Sequence, residues 1–306
     1  MLKTSWLSLL VPALLLSLLV PALLMLPFSA RGQDAELQRR IYQEAVANPN
    51  DKAKVDALIA TLIEAPRGSG RFLIEGDLLL SREEISSYLR SLRDPVPPQV
   101  RSEELIVNTH GGRLDFIADP SKRRMRYWVD MASFPTVDTA KAVQRNFQSA
   151  ARDWERRCPE CGIEFTEVAQ AEIGGDPASF VIRFEDVSGG PIARAFFPSS
   201  PPDDRVVMIF PGYLDAALRF DPVGVLRHEI GHILGYRHEH IVNIPGCARE
   251  GSAYVPITPY TPKSVMHYFC GGAGSFDLSI RPEDERGHRC LYLTGAPCPP
   301  AGGRSK

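Results

Sequence analysis

His228, Glu229, His232, Gly235 and His238, within the run HEIGHILGYRHEH, are the residue types one metal ion needs, at spacings that ordinary packing does not require. On a helix, His228 and His232, four residues apart, stand one above the other, so both imidazoles can aim at a single ion. Glu229 follows the first of them and leans to the side where a metal-bound water would sit, which suits a base better than a ligand. Gly235 can take the left-handed conformation that ends a helix and turns the chain. That turn would return His238 as the third ligand. Three neutral imidazoles leave a fourth position open for water, as in a catalytic rather than a structural zinc site. A His-Glu-x-x-His string alone also arises on surface helices; its extension through Gly235 and His238 is what favours metal over that alternative.

The extended motif is similar to that of the metzincin clan of zinc peptidases, His-Glu-x-x-His-x-x-Gly-x-x-His followed by a methionine-containing turn. SVMHY, Ser264 to Tyr268, resembles the Met-turn of the astacin branch, which implies Met266 as an apolar floor beneath the metal. Glu239 matches the acidic residue that in astacins receives the amino terminus of the processed enzyme, and Tyr268 matches their metal-proximal tyrosine. The plain alternatives are a solvated charge at 239 and an ordinary packed tyrosine at 268. Tyr236, Arg237 and the segment His240 to Pro245 depart from the astacin pattern, so a matrixin-like placement is the second choice. His240 and His267 are expected near the site rather than on the metal.

The resemblance implies one catalytic Zn²⁺ held by His228, His232 and His238, with Glu229 as general base and then acid and Tyr268 donating to the developing oxyanion. It implies an α+β fold: a metzincin-like catalytic domain with a mixed twisted sheet, an active-site helix and a Met-turn, preceded by a mostly helical pro-region. A protein or peptide substrate would add as an antiparallel strand to a sheet edge, for which Ile192 to Phe197 is the candidate, an internal strand being the alternative. Lys263 and Arg281 are basic residues that an acid-preferring pocket could use, but sequence does not place them there. Two other functions stay open. One is a catalytically silent exported zinc-containing binding protein, which would not need Glu229; the other is a zinc hydrolase of cell-wall peptides.

The elements around the motif read as an exported enzyme with a front segment. The chain has 306 residues, 44% of them hydrophobic, which is enough for a sizeable core. Its net charge of −2 points to neither nucleic acid nor a strongly anionic surface, and Lys122-Arg123-Arg124 is too short for a basic patch. Residues 1–32 read as a signal peptide or a membrane anchor: Lys3 precedes an apolar run, and Ala30 and Gly32 suit a cut before Gln33. Membrane contact is expected only if that segment stays uncleaved, and the location is secreted or periplasmic. Residues 33–112 are expected as a pro-region, 113–298 as the zinc peptidase domain and 299–306 as a tail.

Within the front segment, Leu37, Ile41 and Val46 mark one helix face and Val55, Leu58, Ile59 and Leu62 another, with Asn48-Pro49 as the break. FLIEGDLLL, Phe72 to Leu80, reads as strand with a turn at Gly76-Asp77, and Arg82 to Leu92 reads as a helix before the proline-rich stretch Asp94 to Gln99. Ile74-Glu75-Gly76-Asp77 is similar to the Phe-x-Gly-Asp motif by which astacin propeptides place an aspartate on the open zinc position, which makes Asp77 the candidate zymogen latch. An exposed aspartate in a glycine turn is the alternative. A cysteine latch is unavailable, since no cysteine precedes Cys158.

Further on, a strand is expected from about Met125, then a helix over Val137 to Arg157 with Val143, Phe147, Ala151 and Trp154 on one face. GIEFTEV, SFVIRFE, IARAFF and RVVMIF read as strands, and Pro282 to Tyr292 as a last helix. All six cysteines lie in the second half, and an even number in an exported chain suggests disulfides. Cys158 with Cys161, in CPEC, could close a short loop, a redox pair being the alternative, for which no thioredoxin-like context is present. Cys247 with Cys270 is expected because tying the segment after the third ligand to the Met-turn would preorganise the site.

Overall fold

The computed structural model describes residues 28–74, 78–93, 105–173, 179–187, 191–239, 254–267, 269–270 and 272–299. Glu75 to Asp77, His240, Cys247, Tyr268, residues 94–104 and residues 1–27 lie outside them, and with these the latch, the proline-rich stretch and the part of the leader before Phe28. The fold is α+β. No helix among the described residues is long and apolar enough to cross a membrane.

The front segment forms helices α1 (Phe28–Ala47) and α2 (Lys52–Ile59), strands β1 (Ile63–Glu64), β2 (Arg71–Ile74) and β3 (Leu78–Ser81), and helix α3 (Arg82–Ser91). Asp51 starts α2 by accepting from the amides of Ala53 and Lys54, while Ser81 and Glu84 close a capping box at α3. The periodic faces largely hold: Val55, Leu58, Ile59, Ile85 and Leu89 are buried together. Leu37 is the exception, since it is exposed on α1. The strands β1, β2 and β3 make an antiparallel sheet in which Ile74 opposite Leu78 flanks the expected turn.

The larger part contains β4 (Ile106–His110), β5 (Arg113–Leu114), β6 (Arg124–Val129), α4 (Val137–Arg157), β7 (Glu164–Glu167), β8 (Ser179–Phe184), β9 (Ala193–Arg194), β10 (Val206–Ile209), α5 (Pro222–Ile233), β11 (Tyr236–Arg237), β12 (Tyr254–Pro256) and α6 (Pro282–Thr294). Five strands form a mixed sheet in the order β7-β6-β8-β10-β9, parallel except for β9. Arg124, left out of the strand core on sequence grounds, pairs with Glu164 at its start. The stretch IARAFF gives only the two-residue β9, which ends the sheet order, as the edge reading expected.

The alternation of β10 joins the two parts. Val207 and Ile209 point into the main core, whereas Met208 and Phe210 pack against Ala65, Leu73 and Leu79 of the front segment. A second, smaller sheet, absent from the sequence expectations, places β4 between β11 and β12, with β5 also paired to β4. The strand β4, which precedes residue 113, thereby pairs directly with β11, the strand just after the active-site helix.

Helix α4 buries Ala140, Val143, Phe147, Ala151 and Trp154, the face its periodicity predicts, and packs on α5. Helix α5 is buried on every side from Gly224 to Ile233, which fits its apolar sequence and makes it the central element. Two short disulfides are present, Cys158–Cys161 and Cys290–Cys298. Cys270 is also disulfide-bonded, while its expected partner Cys247 falls outside the described residues.

Candidate metal centre

Helix α5 is set by Asp221, which accepts from the Val223 amide, and by Pro222 in its first turn. It presents His228 and His232 on one face, and Gly235 then turns the chain with φ +99°. No other residue fits at this turn, because a Cβ on Gly235 would lie 2.1 Å from the Asp115 carbonyl oxygen. The turn brings back His238, and potential ligand atoms of the three buried imidazoles lie within 4.8 Å of one another. Their ring centroids are 4.9 to 5.1 Å apart.

Hydrogen bonding selects the tautomer of two of the rings. His228 Nδ1 donates to the Val265 carbonyl at 2.8 Å, and His232 Nδ1 donates to the Tyr236 carbonyl at 2.7 Å. A carbonyl only accepts, so each Nδ1 carries the proton and each Nε2 keeps its lone pair. This is how metal-binding histidines are ordinarily oriented from behind. Three buried imidazoles converging in this way fit a divalent ion of the zinc type. The triad could therefore bind a metal.

Met266 is fully buried against α5. A Cβ on Gly231 would lie 2.2 Å from the Met266 sulfur, so the glycine between Glu229 and His232 is what lets the turn approach the helix. The turn is tied down at both ends: the Glu239 amide donates to the Met266 carbonyl at 2.9 Å, and the Met266 amide to Ser264 Oγ at 3.1 Å.

Glu239 is fully buried, which removes the solvated-charge alternative; its carboxylate accepts from the Thr261 amide at 2.6 Å. Burial, reinforced by the nearby Asp284 charge, holds its carboxyl well above the usual carboxylate range. His267 is buried too, with its Nε2 2.8 Å from the Tyr260 hydroxyl. Asp77, Tyr268 and His240 lie outside the described residues.

Glu229 is buried and, with His228, borders a cavity of about 230 Å³ that opens beside the triad. Ile192 and Ala193, at the sheet edge expected to receive substrate, form another of its sides. Lys263 and Arg281 do not line it. Arg281 is committed elsewhere, to the Lys263 carbonyl at 3.0 Å and to Asp277 at 2.8 Å. Arg123 is likewise spent inside, donating to the carbonyls of Ile117, Ala118 and Cys161 and lying over the Tyr292 ring.

Sequence reasoning missed three supports. Asp284 in α6 accepts from Ser264 Oγ at 2.6 Å and from the amides of Val265 at 3.0 Å and Arg281 at 2.8 Å. Arg227 donates from Nε and Nη2 to Asp153 of α4 at 2.9 and 2.7 Å, and Trp154 Nε1 donates to the Arg227 carbonyl at 2.8 Å. Asp284 follows Pro282 as a helix-start acid would, a pattern that explains a cap but not its contact with the turn that carries Met266.

No family model and no curated protein matches the sequence. Two solved structures of myroilysin are similar to it: one at 15% identity with a TM-score of 0.42, covering 61% of this chain and 98% of that one, the other at 14% and 0.39, covering 65% and 97%.

Proposed function

We propose that this protein is an exported zinc-dependent endopeptidase of the metzincin type, made as a zymogen and acting on proteins or peptides. The observation that carries the proposal is the pair of backbone carbonyls, Val265 and Tyr236, that fix the tautomers of His228 and His232 beside a buried Glu229. A buried carboxylate next to three metal-binding imidazoles suits hydrolysis; a binding role does not require it.

His228, His232 and His238 would hold Zn²⁺, whose contribution when bound is Lewis-acid activation of a water and of the scissile carbonyl. Glu229 takes the proton of the attacking water and returns it to the leaving amine. The cavity beside it is lined by apolar residues apart from His228. Tyr268 donates a hydrogen bond to the oxyanion, and Met266 shapes the floor without reacting. Asp77 keeps the precursor silent, and export follows from the leader-like residues 1–32 together with the disulfides.

The test is casein digestion by the secreted protein, with metal analysis and amino-terminal sequencing of the same sample. One zinc per chain and activity lost to chelator and restored by zinc are expected. Metal-replete protein that cleaves no protein substrate overturns the proposal. The latch is tested by Asp77→Ala, which should raise the activity of the unprocessed form; equal silence of precursor and variant removes Asp77 from this role.

A further inference from the structure

The cavity beside Glu229 has a chemistry that the metal motif does not specify. Its volume of about 230 Å³ has room for roughly seven waters at about 30 Å³ each, and its lining away from His228 and Glu229 is apolar. Ile192 and Ala193 of the sheet edge, Val225 of α5, and Phe220 and Leu278 are among the residues that line it. Waters held against such walls find few polar partners, so an apolar side chain that displaces them gains free energy. An acidic side chain there would instead meet no cation among the walls and would face the Glu229 carboxylate, while a basic one would have only that same carboxylate as partner and would otherwise lie against apolar walls.

Leu278 is the unusual residue of this site. Among the described residues it is the one non-glycine with positive φ, at 41°, a conformation that costs a leucine about 1–3 kcal/mol. Its surroundings hold it there. Arg227 Nη1 donates to the carbonyls of Asp277 at 3.1 Å and Leu278 at 2.8 Å, while the rest of the same guanidinium is fixed by Asp153. The Asp277 side chain accepts from Ser279 Oγ at 2.6 Å and from Arg281 at 2.8 Å. Arg227 immediately precedes His228, so one side chain sets the pocket wall from the same helical turn that carries the first imidazole.

We propose that Leu278 and Ile192 are specificity-determining walls of a pocket that takes an aliphatic, leucine-sized side chain next to the scissile bond, with Arg227 positioning Leu278. This rests on the peptidase proposal above, since only a substrate held at Glu229 puts a side chain there. Acidic residues are excluded from that position, and basic ones are disfavoured by its apolar walls.

Two measurements separate failure of this pocket from failure of the peptidase proposal. The first is titration calorimetry of acetylated Gly-Leu, Gly-Asp, Gly-Lys and Gly-Gly amides, and of the reversed dipeptides, into the full chain carrying Glu229→Gln, with and without zinc. At least tenfold tighter binding of a leucine compound is expected; equal binding, or preference for a charged one, overturns the pocket whether or not the protein cleaves anything. The second is cleavage of a peptide library by the zinc-loaded protein, with the cut sites read by mass spectrometry. Leucine-sized aliphatic residues should be enriched on one side of the bond by on the order of tenfold or more.

Leu278→Gly, which adopts positive φ without strain, should reduce the leucine preference to within about threefold and shift it toward aromatic residues. Ile192→Phe, on a half-buried wall, should shift it toward alanine. Melting curves establish that each variant is folded. An unchanged preference in both folded variants overturns the assignment of the walls, and no cleavage by any form, with the binding preference intact, overturns the peptidase proposal alone.

Discussion

Asp284 and His228, on separate helices, are joined through one residue: the Val265 amide donates to the Asp284 carboxylate at 3.0 Å, and the Val265 carbonyl accepts from His228 Nδ1 at 2.8 Å. The last helix thus reaches the histidine triad through the turn that carries Met266. The carboxyl of Asp284 is pushed up by burial, against the opposing effect of the hydrogen bonds it accepts from Ser264, Arg281 and Val265.

Removing that carboxylate should loosen the turn and the ring behind it. Asp284→Ala is expected to cost about 2–4 kcal/mol of stability, because three donors lose their acceptor, and to weaken zinc binding by about 10–100-fold. Urea unfolding and chelator competition measure the two effects. Wild-type zinc affinity in a folded variant would show that the Met-turn does not orient His228.

Gly231→Ala should reverse the usual sign of a glycine replacement in a helix. Alanine ordinarily gains about 1 kcal/mol there, but the clash with the buried Met266 sulfur should turn this into a loss of about 1–3 kcal/mol. Met266→Ala in the same chain should recover most of the clash term in a double-mutant cycle. Additive effects would place the turn farther from the helix.

Acid should destabilise the metal-free protein through His288. Full burial, with the nearby Arg123 and Arg289 charges, pulls its pKa down to about 3 from an ordinary 6.5, and its Nδ1 lies 2.7 Å from the Tyr236 hydroxyl. A depressed pKa means that the unfolded chain takes the proton first. The stability is complete above about pH 6.5, falls by about 1.4 kcal/mol per unit below it, and stops falling on this account near pH 3. Urea midpoints from pH 7 to 4 should fall less steeply for His288→Phe than for the parent, and parallel curves would refute this assignment.

Glu229→Gln should keep metal and fold while lowering turnover by about 10²–10⁴-fold, and His232→Ala should lose the metal itself. Zinc content, melting temperature and peptide hydrolysis, measured on both, distinguish a proton carrier from a ligand. Normal turnover by Glu229→Gln rules out its role as base.

The helical elements were legible because their signals are local. The face Val143, Phe147, Ala151 and Trp154 repeats at helical spacing, and Arg82 to Leu92 begins with a capping box that the structure contains. Leu37 was misjudged because periodicity says which side chains share a face but not whether a partner covers that face. The second sheet escaped because β4, β11 and β12 are short and pair across more than a hundred residues of sequence.

The sequence by itself determined the donor set: His228 and His232 one helical turn apart, Glu229 between them, and a glycine where the chain must double back to His238. These follow from the geometry of one helix and one turn. Tertiary structure decided everything that depends on distant backbone. It brought the Val265 carbonyl behind His228, Asp284 to the Met-turn, Glu239 out of water, and the strained Leu278 to the cavity beside Glu229. A hydrogen bond to a carbonyl carries no side-chain signature in the sequence, and a pocket wall is made only when separate segments pack together.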